Sequence, residues 1–442
     1  MDAPDEPGHD GPWNIIFAPR PAFDMSPTMT DPNRHYDASE TRDPEAREQA
    51  LLQALSAQVA HAKAKAPYFA TLFKDVDPAA ITTRAALAQL PVTRKSDLLE
   101  IQPRSYPFGG LNATPPGRLA RIFMSPGPIY DVEGHGPDFW RFARGLFAAG
   151  FRAGDIVHNS FSYHLTPAGS MIESGAHALG CAVVPAGVGQ TDLQLRAIAD
   201  IRPQGYGGTP SFLKILVDKA RETGTDISSL TKALVSGEAF LPAHRTELKA
   251  AGITARQCYG TADLGLVAYE SEAEDGMIVD EGCLVEILRP GTGDPVEAEG
   301  EVGEVVVTLF EPDYPLVRFA TGDLSAVMPG TSPCGRTNIR LRGWMGRADQ
   351  TTKIRGMFVH PVQVQAAVKK HPAVAKARLV VDRAGDQDDM ALEIEVADAA
   401  ALSQDALLED IRSATKLRGR LVVLSPGTLP ADAKTIEDRR PV

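Results

Sequence analysis

The chain has 442 residues, 43 % hydrophobic and 23 % charged, an ordinary globular balance with enough apolar material to fold without disulfide or metal staples. Acidic residues outnumber basic ones 57 to 45, giving −12, which excludes a nucleic-acid-coating surface or a polybasic membrane patch. Residues 1–50 alone carry 11 acids, four Arg and eight prolines, so 1–35 reads as an acidic, Pro-rich arm.

No run approaches the length of a membrane span, and Met1-Asp2-Ala3-Pro4-Asp5 lacks the basic-then-apolar order of a secretory signal. Four scattered cysteines, Cys181, Cys258, Cys283 and Cys334, do not make a disulfide framework. A soluble, cytoplasmic protein is expected.

Leu51, Leu52, Leu55, Val59 and Ala62 recur at three- and four-residue steps and predict a helix over 44–73. A shorter helix over 83–90 is closed by Pro91. From 120 to 340, helices are predicted over 138–149, 166–179, 190–200 and 211–223. They alternate with strands at 156–157, 181–185 and 233–236. This alternation predicts an α/β sheet with ligand loops at the carboxyl ends of its strands. After 280 the pattern turns to strands, 283–288 and 304–309, around the turn-rich 289–295. Beyond Gly343 come a strand over 351–359, a helix over 362–370, strands at 377–381 and 391–396, a helix over 404–417 and a strand at 421–424. The predicted organisation is an arm (1–35), a large α/β body with a β subdomain (36–343) and a small α+β lid (344–442).

Three segments place glycine and polar residues just after predicted strands and are read as loops. They are Ser236-Gly237-Glu238-Ala239, Tyr259-Gly260-Thr261-Ala262-Asp263 and Thr321-Gly322-Asp323-Leu324. Glycine with a carboxylate at a strand end offers N–H groups and an acceptor to a sugar or nucleotide, although each segment alone is also an ordinary turn. A charged segment, 346–356, carries Arg347 and Asp349 at the body–lid junction, and 429–435 carries Lys434.

Together and in this order, the five segments resemble the adenylate-forming (acyl-CoA synthetase-like) superfamily, most closely the phenylacetate–CoA ligase family. The resemblance runs from about Tyr36 to Arg440. It includes Tyr36-Asp37, Ala66-Pro67-Tyr68-Phe69, Leu90-Pro91-Val92-Thr93-Arg94-Lys95-Ser96-Asp97-Leu98 and Tyr106-Pro107-Phe108-Gly109-Gly110. It implies the adenylate-forming fold, a mobile lid and a two-step reaction using ATP, Mg²⁺ and coenzyme A. A carboxylate first displaces pyrophosphate from ATP to give an acyl-adenylate, and the thiol of coenzyme A then displaces AMP.

By resemblance, Ser236, Gly237, Glu238 and Ala239 line the adenine, Tyr259 packs on the base, and Gly260 and Thr261 belong to the same nucleotide segment. Asp323 accepts the ribose hydroxyls, Arg347 meets ribose or phosphate, Asp349 is the hinge, and Asp263 contacts Mg²⁺. Lys434 reaches the carboxylate and α-phosphate during adenylation. Tyr163, His164, Ala186 and Gly187 fall where relatives hold the acyl group. Arg318, Arg347, Lys353, Arg355 and Lys434 are expected around the site.

The sequence departs from the family at the phosphate loop, which reads Ser125-Pro126-Gly127-Pro128-Ile129-Tyr130-Asp131. Ser125 and Gly127 remain, but the threonines, second glycine and lysine are gone. Two prolines remove N–H donors, and Asp131 puts an anion where a cation is expected. Asp263 stands where the family has Glu, and Ala320 where it commonly has Arg. Ser332-Pro333-Cys334-Gly335-Arg336-Thr337 lacks one thiol of a cysteine pair that joins a zinc site in some relatives. The reading is an AMP-forming ligase that joins an aryl or arylacetic acid to coenzyme A. Its partner is a small carboxylic acid, not nucleic acid or membrane, and a homodimer is compatible with it. An acyl-adenylating enzyme with an amine or carrier-thiol acceptor, and a degenerate nucleotide- or acyl-binding paralogue, stay open as alternatives.

Overall fold

The computed structural model describes residues 34–125, 127–289, 292–348, 352–359, 361–384, 387–396, 402–430 and 434–440. The arm up to residue 33 and the expected hinge Asp349 lie outside them.

Helix α1 (Pro44–Lys65) begins at Asp43, whose carboxylate accepts from the amides of Glu45 and Ala46. Ala66 is extended and Pro67 cannot donate back, so the long predicted helix breaks there and restarts as α2 (Pro67–Leu72). After α3 (Arg84–Ala88), β1 (Thr93–Arg94) and α4 (Leu98–Ile101), the phosphate-loop segment folds as an antiparallel hairpin of β2 (Arg121–Ser125) and β3 (Ile129–Glu133). Helix α5 (Phe142–Ala148) is shorter than predicted. Asp138 and Arg141 adopt positive φ, and Asp138 accepts from the Ala143 amide, so 138–141 is an entry turn.

The body is organised by a nine-stranded sheet. Strands β4 (Ile156–Asn159), β5 (Ala182–Pro185), β6 (Gly205–Gly208), β7 (Lys232–Val235) and β8 (Thr254–Thr261) are laid parallel in the order β5-β4-β6-β7-β8. Helices α6 (Ala168–Ala178), α7 (Thr191–Ile201), α8 (Pro210–Thr223) and α9 (Pro242–Ala250) connect them. Strands β9 (Gly265–Glu270) and β10 (Met277–Val279) continue the sheet antiparallel. A second sheet is built from β11 (Cys283–Leu288), β12 (Gly303–Leu309) and β13 (Phe319–Ser325), with β1 paired parallel to β13. Short strands β14 (Val327–Met328) and β15 (Arg340–Leu341) close the far edge of the large sheet.

Arg318 ties the second sheet to the N-terminal helical segment. Its guanidinium is 1 % exposed and donates to both oxygens of Glu286 (3.1 and 3.0 Å) and to the carbonyls of Ala88, Leu90 and Gly293. The expectation that Arg318 faces the site is corrected: it is a buried clamp that fixes the segment leading into β1.

In the C-terminal region, β16 (Thr352–Ile354) and β17 (Met357–Val359) form a hairpin before α10 (Pro361–Val368). Strands β18 (Val374–Ala384) and β19 (Gln387–Val396), helix α11 (Gln404–Thr415), β20 (Arg420–Leu424) and β21 (Ile436–Asp438) complete it, in the sheet order β20-β19-β18-β21. Leu379, Val381, Ile394, Leu407 and Ile411 form its own core. Arg355, on an exposed turn, donates to Asp388 and to the Arg418 carbonyl. All four cysteines are free and buried. No helix among the described residues is long and apolar enough to cross a membrane.

Removing one partner of a buried ion pair strands the other charge, at a cost of about 3–5 kcal/mol. Arg318→Ala should therefore lower the urea midpoint sharply, whereas Arg355→Ala, on an exposed turn, should leave it within about 0.5 kcal/mol.

Candidate active site

The candidate residues gather where the parallel strands end. Ser236–Ala239 follows β7, and residues 237–239 are exposed there. Ser236 Oγ donates to the Cys258 carbonyl (2.8 Å), and Glu238 accepts from the Ser211 amide at the start of α8 (2.7 Å). The loop is thus pinned at both sides while its rim stays open. Gly187 follows β5. Gln194 on α7 donates to the carbonyls of Gly187 and Gly189 and accepts from Ser160 Oγ, while Oε1 lies 2.9 Å from His158 Nε2. Burial lowers the pKa of His158, so it serves the clamp as a neutral ring.

Tyr259 and Asp323 lie on strands rather than in loops, which corrects the sequence reading. Each motif glycine sits at a β-bulge, where the extra residue re-aims the side chains beside it. In β8 the register against β9 shifts between Tyr259 and Gly260, and a Cβ at Gly260 would lie 2.7 Å from the Gly265 carbonyl oxygen. In β13, Gly322 takes φ 76 opposite an irregularity in β12. Gly supplies that left-handed conformation without steric cost.

Three side chains meet on one carboxylate beside these bulges. Asp323 Oδ2 accepts from the Tyr259 hydroxyl (2.9 Å), and Oδ1 accepts from Trp344 Nε1 (3.0 Å) and Arg347 (2.8 Å). The Tyr259 hydroxyl also lies 3.1 Å from Thr321 Oγ1. Burial, then the Asp323 charge, pushes the Tyr259 phenol well above its ordinary pKa, so it stays a donor. The main chain of 346–348 runs along β13, with Leu324 N to Gly346 O at 2.9 Å and Ala348 N to Gly322 O at 2.6 Å. The segment leading to the lid therefore starts on the strand that carries Asp323.

A second group lies beyond Tyr259 along β8. Lys95 Nζ donates to Asp263 Oδ2 at 2.5 Å, and Thr261 Oγ1 stands 3.3 Å from the same oxygen. Asp131, on β3, is fully buried and within hydrogen-bonding reach of Asp263. Burial, and then the neighbouring Asp263 charge, pushes the Asp131 carboxyl well above the usual range. At Lys95 burial favours the neutral amine, but Asp263 and Asp131 outweigh it and raise the pKa. Asp131 is therefore not an anion at the mouth of a phosphate loop: the hairpin turn is tight, Ser125 Oγ donates to the Ile129 carbonyl (3.2 Å), and Asp131 points into the protein.

Sequence reasoning missed Lys95. It stands in the quoted segment 90–98, and the signal available was its place in that motif directly after the helix closed by Pro91. The acyl-site residues divide. Tyr163 accepts from Asn159 Nδ2 (2.7 Å) and its ring closes over Gly169, so it braces α6. His164 is exposed, and Ala186 and Gly187 are half-buried at the sheet end. Lys434 is exposed just before β21. Among the described residues no group of three or more His, Cys, Asp or Glu side chains gathers as a metal cage.

Strand ends, bulged motif and junction define an adenylate-forming fold. Residues 143–308 match the AMP-binding enzyme family model. A phenylacetate–coenzyme A ligase of Aromatoleum evansii is 32 % identical over 88 % of this chain and 94 % of its own length. One from Thermus thermophilus is 32 % identical over 80 % and 82 %. The chain belongs to the phenylacetate–coenzyme A ligase family. Crystal structures of 2-hydroxyisobutyryl-CoA ligase share the fold at 24 % identity. The thioesterification state with 2-HIB-AMP and CoA gives a TM-score of 0.81 over 95 % of both chains. The postadenylation state with 2-HIB-AMP gives 0.69, over 94 % of this chain and 95 % of that one.

Trp344 is 37 % exposed and hydrogen-bonded to Asp323, whereas Trp140 is fully buried. ATP should therefore change the emission of Trp344, and Trp344→Phe should erase the change. Hydrogen bonds to a charged group contribute about 1.5–3 kcal/mol. Asp323→Ala should raise the ATP concentration for half-saturation about tenfold or more, measured by equilibrium dialysis.

Proposed function

We propose that the chain is an ATP-dependent, AMP-forming ligase that activates an aromatic carboxylic acid and passes it to coenzyme A. The observation that carries this is the buried Asp323 carboxylate, held by Tyr259, Trp344 and Arg347 where the body meets the lid segment. In this reading Asp323 takes the ribose hydroxyls, and Ser236–Ala239 flanks the adenine. Arg347, which faces Asp323 and lies close enough to Lys95 to oppose its charge, turns toward phosphate when nucleotide enters. Lys95 supplies the ammonium that the short hairpin turn lacks, at the phosphate end of the site.

The body (36–343) and lid (344–442) act as separate units, and the lid presents a different face in each half-reaction. First the acid's carboxylate oxygen bonds to the α-phosphorus and pyrophosphate leaves. Then the thiol sulfur bonds to the acyl carbon, AMP leaves, and the thiol proton passes to solvent. In this reading Lys434, exposed just before β21, is brought to the reacting groups only when the lid turns. Asp263 offers a buried, unpartnered Oδ1, a hard oxygen donor that fits Mg²⁺. When bound, Mg²⁺ neutralises the phosphates of ATP. The same reading places the enzyme in the cytoplasm, with no nucleic-acid partner, and is compatible with a homodimer.

Pyrophosphate exchange with a panel of aryl and arylacetic acids tests the first step, and thioester formation tests the second. Exchange without thioester points to an amine or carrier-thiol acceptor. No exchange with any acid, and no ATP-dependent thermal shift, rejects the ligase reading. Lys434→Ala should cut exchange by about 100-fold or more while thioester formation from supplied acyl-adenylate stays near wild type. Equal loss of both rates would reject a lysine used in one half-reaction only.

A further inference from the structure

Resting on the ligase reading, we propose that Glu395 is a positioning residue for adenylation: from the middle of the lid's sheet it holds the segment 425–430 that leads to Lys434. Glu395 lies on β19, which runs between β18 and β20, opposite Lys376 on one side and Leu424 on the other. It is 3 % exposed, an uncommon place for a carboxylate. Its partner there is main chain: Oε1 accepts from the backbone N–H of Leu429. Lys376 Nζ donates to the carbonyl of the same residue, 3.4 Å away. A cross-strand acid–base pair thus takes both backbone polar groups of Leu429, whose own side chain is buried. The register of β18 against β19 slips between Val374 and Lys376, and past that irregularity Lys376 stands directly opposite Glu395.

Leu429 stands five positions before Lys434. On the other side of the lysine, the Thr435 carbonyl accepts from the Leu379 amide (2.8 Å) and its hydroxyl from Gln365 Nε2 on α10 (3.1 Å). Lys434 itself is exposed. The chain around it is therefore tied to β18, β19 and α10 while its cation is left outside. A turn alone does not call for that: Ser425-Pro426-Gly427 already turns the chain without burying a charge. A buried carboxylate is costly unless hydrogen bonds meet it, and bonds to an ionised acceptor are the stronger kind. The amide of Leu429, then that of Gly427, hold the Glu395 carboxyl below its usual range, so it grips as an anion. A lysine side chain carries much rotamer entropy, and a slack loop would add backbone freedom to it. With the backbone tied on both sides, only the side chain remains to be ordered when the lid turns. Small misplacements of a charge at the reacting groups are costly in rate.

The test compares both half-reactions with amide hydrogen exchange in the full-length chain. Glu395→Ala should cut pyrophosphate exchange by about tenfold or more and leave thioester formation from supplied acyl-adenylate within about twofold. Deuterium uptake should rise in 425–430 while α11 stays protected. In a Lys434→Ala background the same substitution should cost no further pyrophosphate exchange, because a positioning residue acts through the group it positions. Glu395→Gln keeps the shape and one acceptor oxygen; it should lose less than alanine, and it carries the test if alanine does not fold. Equal loss of both half-reactions, a further loss in the Lys434→Ala background, or pyrophosphate exchange within about twofold of wild type in both variants overturns the proposal. The wild type reports on the ligase reading separately. If no acid supports its pyrophosphate exchange while Glu395→Ala still loosens 425–430, the ligase reading fails and takes the positioning role with it. If the wild type exchanges and the variants leave 425–430 protected, the proposal alone fails.

Discussion

Two carboxyl groups buried side by side have lost their water and cannot both ionise cheaply, and the low local dielectric magnifies that cost. In this chain the group that meets them is Lys95, and much of the architecture serves to put it there. Lys95 opens a single 3₁₀ turn directly after β1. Strand β1 is only two residues long and is held by pairing with β13, by the Thr93 amide to the Arg318 carbonyl and by Arg94 to Glu304 at 2.5 Å. The Arg318 clamp fixes the chain just upstream. A few residues downstream Gln102 exchanges two hydrogen bonds with the backbone of Tyr130 (both 2.8 Å), gripping β3 next to Asp131. The N-terminal helices are therefore part of the site's framework.

The nucleotide side rests on a different device. A regular strand would point alternate residues to opposite faces, and neither Tyr259 nor Asp323 could meet the other from a flat ladder by choice of sequence alone. The bulges at Gly260 and Gly322 break that alternation locally. Because Asp323 accepts from Tyr259 on β8, from Trp344 and from Arg347, one carboxylate joins the large sheet, the second sheet and the segment after it.

Much of this was legible in the sequence. Alternating apolar runs between 120 and 340 gave the parallel sheet, because four-residue strands between amphipathic helices leave a strong periodic signal. Ser236–Ala239, Asp323 and Arg347 came from motif order. Other features left no local signal. Arg318 reads as one more cation until Glu286, 32 residues away, is folded onto it. Asp131 looks like a loop residue because Pro126, Gly127 and Pro128 suggest a long loop, yet Ser125 and Ile129 already pair as strand. The meeting of Lys95 with Asp263 spans 168 residues and depends on two sheets closing together, which periodicity cannot report. The bulges were hidden too, since a glycine at a strand end and one inside a bulge look alike in one sequence.

Strand β21 has a mechanical consequence. It begins two residues after Lys434 and lies parallel to β18, with Leu379, Val380 and Val381 opposite Ile436, Glu437 and Asp438. Arg440 ties its far end to Thr352 (2.9 Å) and Asp388 (3.0 Å). The ammonium of Lys434 is therefore the tip of a short lever bolted to the lid's central strand. If the lid turns as proposed, a few degrees of its rotation move that tip, so the angle of the lid, more than the rotamer of the lysine, would set whether the charge is delivered.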